Sequence, residues 1–206
     1  MHYQNLCLLL CAIVAAVALH NGADYKLLRS WEHDTQSFTQ GIILRDGFLY
    51  ESGGLYRKST LRKVDPSTGQ VLHITALPPK YFAEGITIVG DKLFMLTWKE
   101  RTMLIFDLAT MAIIDHKSYQ THSGQGWGLT YDGKHLLASD GSHVITTFEV
   151  PEVDVEAAAS ATDRRSLLGM GLGAGLGSGG SSLRKVRQVS VTHNGREVRH
   201  GNELEN

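Results

Sequence analysis

Three stretches of the chain share one pattern of apolar and polar positions. QGIILRDGFLYES from Gln40, EGITIVGDKLFMLTW from Glu84 and WGLTYDGKHLLASDG from Trp127 each carry a glycine in second place. Each then runs through a short apolar strand, breaks at a polar turn and returns as a second apolar strand. The turns are Arg45-Asp46-Gly47, Gly90-Asp91-Lys92 and Tyr131-Asp132-Gly133, and Asp beside Gly between apolar runs is a strong hairpin signal. A second pair of strands is predicted after the first two hairpins, over 61–64 and 71–74 and over 104–107 and 113–116, joined in the first case by Asp65-Pro66-Ser67-Thr68-Gly69. A further strand is predicted over 144–148 in the third unit.

Gly41, Gly85 and Gly128 recur at roughly 43–44 residues, the period of a propeller blade. Four short strands per period, with no long segment of helical periodicity, predict an all-β chain. The expected architecture is a β-propeller of about three and a half blades, in which stacked units bury faces that none could bury alone.

The chain outside the repeats divides differently. Residues 6–19, LCLLLCAIVAAVAL, are an uncharged apolar run of fourteen, the length of a signal-peptide core and short of the roughly twenty residues that a membrane span needs. Residues 1–23 are therefore expected to be a cleaved signal, making the protein secreted or lumenal and free of the membrane after cleavage. Both cysteines, Cys7 and Cys11, fall inside that segment, so the mature chain would have no thiol chemistry. The propeller blades are assigned to 24–150. Residues 151–182 form an Ala/Gly/Ser-rich insertion, expected to be a disordered linker. Its Gly175-x-Gly177-x-x-Gly180 matches a dinucleotide fingerprint only formally, having no strand before it and no helix after it. Regular sequence resumes over 183–206 and reads as the start of the next blade.

Charge removes one class of partner. With 20 basic and 21 acidic residues, the chain lacks the basic excess that nucleic-acid binding requires. The histidines are scattered without metal-ligand spacing, and no cofactor or metal is expected. Asp140, Ser142 and His143 read as a turn rather than a hydrolase triad, because no nucleophile elbow surrounds the serine.

Several words occur in register along the chain: Phe38-Thr39-Gln40-Gly41, Tyr50-Glu51-Ser52-x-Gly54-Leu55-Tyr56, Phe82-Ala83-Glu84-Gly85-Ile86-Thr87, Leu96-Thr97-Trp98, Gly126-Trp127-Gly128-Leu129-Thr130-Tyr131-Asp132-Gly133, Ser139-Asp140-Gly141-Ser142 and Asn202-Glu203-Leu204-Glu205. Together they resemble the plant and bacterial type of glutaminyl-peptide cyclotransferase, a five-bladed propeller unrelated to the zinc-dependent animal enzyme. The resemblance implies conversion of the N-terminal glutamine of peptides and proteins to pyroglutamate, with release of ammonia. Two departures stand out. Gln125 occupies a position where the family has Glu. The family also continues for about two more blades, with a further active-site Trp and a Lys, so the chain reads as truncated at its C-terminus.

The repeat and the resemblance select the same residues. Glu84 precedes the repeat glycine, in the slot held by Gln40 in the unit before and by Trp127 in the unit after. Equivalent slots of successive blades converge near a propeller axis, which would bring a carboxylate, a carboxamide and an indole together. Glu84 is the candidate proton shuttle, with Phe82, Trp98 and Trp127 expected to desolvate it and raise its pKa toward neutrality. Gln40 is a candidate substrate contact, able to donate and accept without charge. Trp98 and Trp127 are candidate walls of the peptide site, and the resemblance adds Asn202 as a polar contact. The alternative to catalysis is a propeller scaffold that binds a peptide terminus and does no chemistry. Open blade edges are expected to favour self-association.

Overall fold

A computed structural model of the chain describes residues 32–153 and 181–199, together with Leu27 and Ser30. The expected signal segment, nearly all of the Ala/Gly/Ser-rich insertion and Asn202 lie outside the described residues. Every regular element among the described residues is a strand.

Short polar turns permit only antiparallel returns, and the sheets follow chain order accordingly. The first blade is β1 (Thr39–Arg45), β2 (Phe48–Gly53), β3 (Thr60–Val64) and β4 (Val71–Ala76). The second is β5 (Ala83–Val89), β6 (Lys92–Thr97), β7 (Thr102–Asp107) and β8 (Ile113–Ser118). The outer turn is built alike in both. Asp65 Oδ1 accepts from Ser67 N at 2.7 Å and Oγ at 2.6 Å, and Asp107 Oδ1 accepts from Thr110 N at 2.8 Å and Oγ1 at 2.6 Å. A carboxylate that caps its own turn in this way sets the chain reversal locally.

The third blade holds β9 (Leu129–Tyr131), β10 (His135–Ala138) and β11 (Val144–Glu149), and its outermost strand is β12 (Lys185–Ser190). Residues 185–190, read from sequence as opening the next blade, therefore complete the third one. β12 pairs antiparallel with β11 from Val144↔Ser190 to Phe148↔Lys185. Strand propensity announced β12, but only the long-range pairing shows which sheet it joins. A short hairpin follows, β13 (Thr192–His193) with β14 (Arg196–Glu197).

Alternation decides how the blades stack. On β6 and β7, Leu93, Met95, Leu104 and Phe106 pack toward the first blade with Tyr50, Leu61 and Ile86. Their neighbours Phe94, Leu96, Met103 and Ile105 pack toward the third blade with Leu129, Leu136 and Phe148. Successive side chains of a strand point to opposite faces, so a sheet covered on both sides reads as a continuous apolar run. Residues 93–96 and 103–106 are all at most 1% exposed. Each such side chain contributes on the order of 1.5–3 kcal/mol of burial, which makes the middle blade the fixed body of the fold. The far face of the first blade is open in part by contrast, with Leu44 64% exposed and Ile42 beside it.

Candidate active site

The inner strands β1, β5 and β9 lie side by side, and they meet backbone to backbone. A Cβ placed on Gly85 would lie 2.5 Å from both Leu129 N and Trp127 O, closer than side-chain carbons approach other atoms. Gly85 N–H uses that proximity to donate to Trp127 O at 2.7 Å. The repeat glycine is thus required by the contact between blades, since no larger residue admits a backbone hydrogen bond there.

Each candidate in the repeat slot sits where the regular pairing breaks. In β1 the partner of Thr39 is Gly53 and that of Gly41 is Ser52, which leaves Gln40 as the extra residue. In β5 the register shifts between Ala83↔Thr97 and Ile86↔Met95, so Glu84 and Gly85 together oppose one residue. In the third blade Trp127 N donates to Ser139 O at 3.0 Å while Ser139 N donates to Gly128 O at 3.0 Å, again two residues against one. Bulges of this kind re-aim a side chain away from the strict alternation of a strand. Gln40, Glu84 and Trp127 are therefore taken out of the sheets' register at the same level of three neighbouring blades.

Glu84 is 6% exposed, and its backbone is clamped on both sides. Its carbonyl accepts from Ser52 Oγ at 2.6 Å, and the following N–H is the one bound to Trp127 O. An aromatic wall is built around Phe82, two residues before it in the chain. Phe82 lies edge-on to Phe38 and Tyr56, with ring centroids 6.4 and 5.4 Å away, and tilts against Trp98 at 5.4 Å. Gly54 makes room for this wall: a Cβ there would meet Phe82 Cε1 at 2.4 Å and Gln40 Cγ at 3.0 Å. Trp98 N donates to Phe82 O at 3.0 Å, and Gly126 N to Trp98 O at 2.8 Å, which carries the wall from the second blade to the third.

Four of the five sequence candidates, Gln40, Glu84, Trp98 and Trp127, belong to this one region; Asn202 lies outside the described residues. Three participants were missed. Gln125 Oε1 accepts from Trp98 Nε1 at 2.6 Å and from Trp127 Nε1 at 3.2 Å. Tyr56 OH donates to Glu100 Oε1 at 2.7 Å, reaching from the first blade to the second, and Glu100 Oε2 accepts from Phe82 N at 3.4 Å. Gln125 was visible in the sequence as a family departure beside Trp127. Nothing in the local pattern around Tyr56 or Glu100 signals that they meet, because 44 residues separate them.

The charge distribution acts on the phenols. Burial, the hydrogen bond and charge of Glu100, and the charge of Glu84 push Tyr56 from 10.0 up to about 12. Burial first, and then Glu84 and Glu100, hold Tyr119 well above the usual tyrosine value. Both hydroxyls remain neutral donors at physiological pH, Tyr119 toward the carbonyl of Thr97. Asp140 serves structure, as its turn-like sequence suggests. It is 1% exposed, and its Oδ1 accepts from Ser142 N at 3.0 Å. Glu51 accepts from Ser37 Oγ at 2.6 Å and from Thr39 Oγ1, and pairs with His33 at 2.9 Å on the far face of the first blade. Among the described residues no group of three or more His, Cys, Asp or Glu could hold a metal ion.

The family model for glutamine cyclotransferase matches residues 4–168, and the chain belongs to that family. It is 33% identical over 187 residues to the glutaminyl-peptide cyclotransferase of Arabidopsis thaliana, an alignment covering 90% of this chain and 48% of the relative. The crystal structure of Myxococcus xanthus glutaminyl cyclase is similar with a TM-score of 0.64 at 26% identity, covering 87% of this chain and 62% of the bacterial one. The chain spans about half the length of the curated relative it matches.

Proposed function

We propose that this chain carries the proton-transfer and peptide-binding part of a glutaminyl-peptide cyclotransferase, acting on peptides with an N-terminal glutamine. The observation that carries the reading is Glu84, a buried carboxylate set on a bulge between two blades, two residues along the chain from Phe82 of the aromatic wall and near enough for its charge to act on the Tyr56 phenol. The reaction needs little else. Nucleophile and electrophile lie in one residue, so proximity is built into the substrate. The neutral α-amine attacks the side-chain amide carbon, and a new C–N bond forms to give a tetrahedral oxyanion. Glu84 takes the proton that the amine sheds. When the bond to the side-chain nitrogen breaks, that nitrogen receives the proton and leaves as ammonia. Glu84 ends the cycle as it began, a general base that becomes a general acid. Gln40, neutral and half-buried beside Phe82, is a suitable donor to the oxyanion, and the indoles of Trp98 and Trp127 wall the planar amide from water.

The test is ammonia release from a Gln-Ala peptide by the chain, with the same peptide acetylated at its amine as the control that cannot react. Release from the free peptide alone supports the proposal. Binding of the free peptide without release would leave a peptide-binding propeller instead.

Secretion belongs to the same proposal. Residues 1–23 have the anatomy of a cleaved signal, and among the described residues no helix is long and apolar enough to cross a membrane. Mass spectrometry of protein from the medium should find a new N-terminus near Leu19 or Asp24; intact Met1 on intracellular protein would remove the assignment. We also propose self-association through Ile42 and Leu44, exposed on the outer face of the first blade, since a blade ordinarily covers that face with a neighbour. Sedimentation that shows only monomer would exclude it.

A further inference from the structure

The indole N–H groups of two blades converge on one atom. Trp98 follows β6 of the second blade, Trp127 precedes β9 of the third, and both donate to Gln125 Oε1, at 2.6 and 3.2 Å. An indole N–H can only donate, so the orientation of the carboxamide is decided by chemistry: its oxygen faces both rings and its nitrogen faces neither. Neither ring can then rotate about its χ angles without giving up the shared acceptor.

Gln125 is itself held in place from both sides. Its carbonyl accepts from Thr121 Oγ1 at 2.5 Å and its N–H donates to Ser123 Oγ at 3.3 Å. Ser123 is tied to the third blade, donating from N to Asp140 Oδ2 at 2.5 Å and from Oγ to Asp140 O at 2.7 Å. Between them Gly124 has φ of +78°, and its carbonyl accepts from Arg101 Nε of the second blade at 3.2 Å. Such a chain of satisfied bonds fixes the backbone from which the carboxamide reaches the two indoles.

We propose that Gln125 is a positioning residue: it holds Trp98 and Trp127 at a fixed mutual angle, so that the two indoles form one rigid wall for the planar amide of the substrate. The substrate part of this inference rests on the cyclotransferase reading; the clamp itself does not. A carboxylate at 125 would accept from both indoles equally well, whereas an apolar side chain of similar size could accept from neither.

The experiment compares Gln125→Leu with Gln125→Glu in the full chain, using circular dichroism in the indole band, far-ultraviolet circular dichroism for strand content, and kinetics on Gln-Ala. Gln125→Leu should lose most of the indole band while keeping its strands. Its KM should rise about ten-fold, equivalent to about 1.4 kcal/mol of binding lost through the unpositioned wall, with kcat changed less. Gln125→Glu should restore both the band and KM. A wild-type indole band in Gln125→Leu would overturn the clamp, and so would equal losses in the two variants, because volume rather than the acceptor would then matter. If Gln125→Leu does not fold, Gln125→Glu decides alone: it must keep the indole band. If the wild-type chain releases no ammonia, the cyclotransferase reading fails, while the indole band still decides the clamp.

Discussion

Ser52 and Glu84 belong to different blades, and the hydroxyl of the first donates to the backbone carbonyl of the second at 2.6 Å. Ser52 is fully buried, and its Oγ also lies 3.3 Å from Gly41 O. The bond therefore joins β2 of the first blade to β5 of the second at the level of the candidate proton shuttle. Ser52→Ala leaves a buried carbonyl without that donor, a loss of about 1–3 kcal/mol. Urea denaturation should show a lower midpoint with an unchanged slope. An unchanged midpoint would mean that the carbonyl is satisfied in some other way.

Glu84→Gln preserves size and hydrogen bonding and removes the titrating group. General acid–base catalysis is typically worth about two to four powers of ten, so turnover on Gln-Ala should fall by that order with little change in binding. Trp127→Ala should weaken binding at least as much as turnover, since a wall acts on ground and transition state alike. Steady-state ammonia release separates the two patterns; wild-type turnover in Glu84→Gln would transfer the shuttle to another group.

Gly85→Ala tests the contact between blades. The added methyl would sit 2.5 Å from Trp127 O and Leu129 N, and backbone on both sides cannot swing away as a flexible side chain could. Overpacking of this kind typically costs about 1–3 kcal/mol, and here the hydrogen bond from Gly85 N to Trp127 O goes with it. A clearly lower melting temperature by calorimetry is expected, and a wild-type melt would show that the strands can part without cost.

Alkaline pH should weaken the fold. Tyr56 rises from 10.0 unfolded to about 12 folded, so the folded state retains a proton that the unfolded state loses. The contribution is whole below pH 10 and is lost as pH climbs toward 12. Denaturant midpoints measured across that window should fall, and less steeply in Tyr56→Phe, which has no proton to retain. Phenolate absorbance in the folded wild type that completes its rise near pH 10 would contradict the shift.

Much of this was readable in one dimension. The repeat of Gly41, Gly85 and Gly128, the alternation on the strands and the Asp-led turns each report a local constraint: a chain reversal, a covered face or a close approach. The blades and the shared slot of Gln40, Glu84 and Trp127 followed from them. What remained hidden depends on distance along the chain. β12 could be recognised as a strand but not assigned to the third blade, because its partner β11 lies beyond a long insertion. The bulges at Gln40 and at Glu84 appear only once each strand has its partner. The meeting of Gln125 with Trp98, and of Tyr56 with Glu100, arises where loops of different blades arrive at one rim. Sequence by itself determined the period, the strands and the residues in the slot, since those are properties of local backbone preference and of face. Tertiary structure alone decided which side chains share an acceptor, because hydrogen bonding between blades is set by how rigid sheets stack and leaves no periodic trace in the chain.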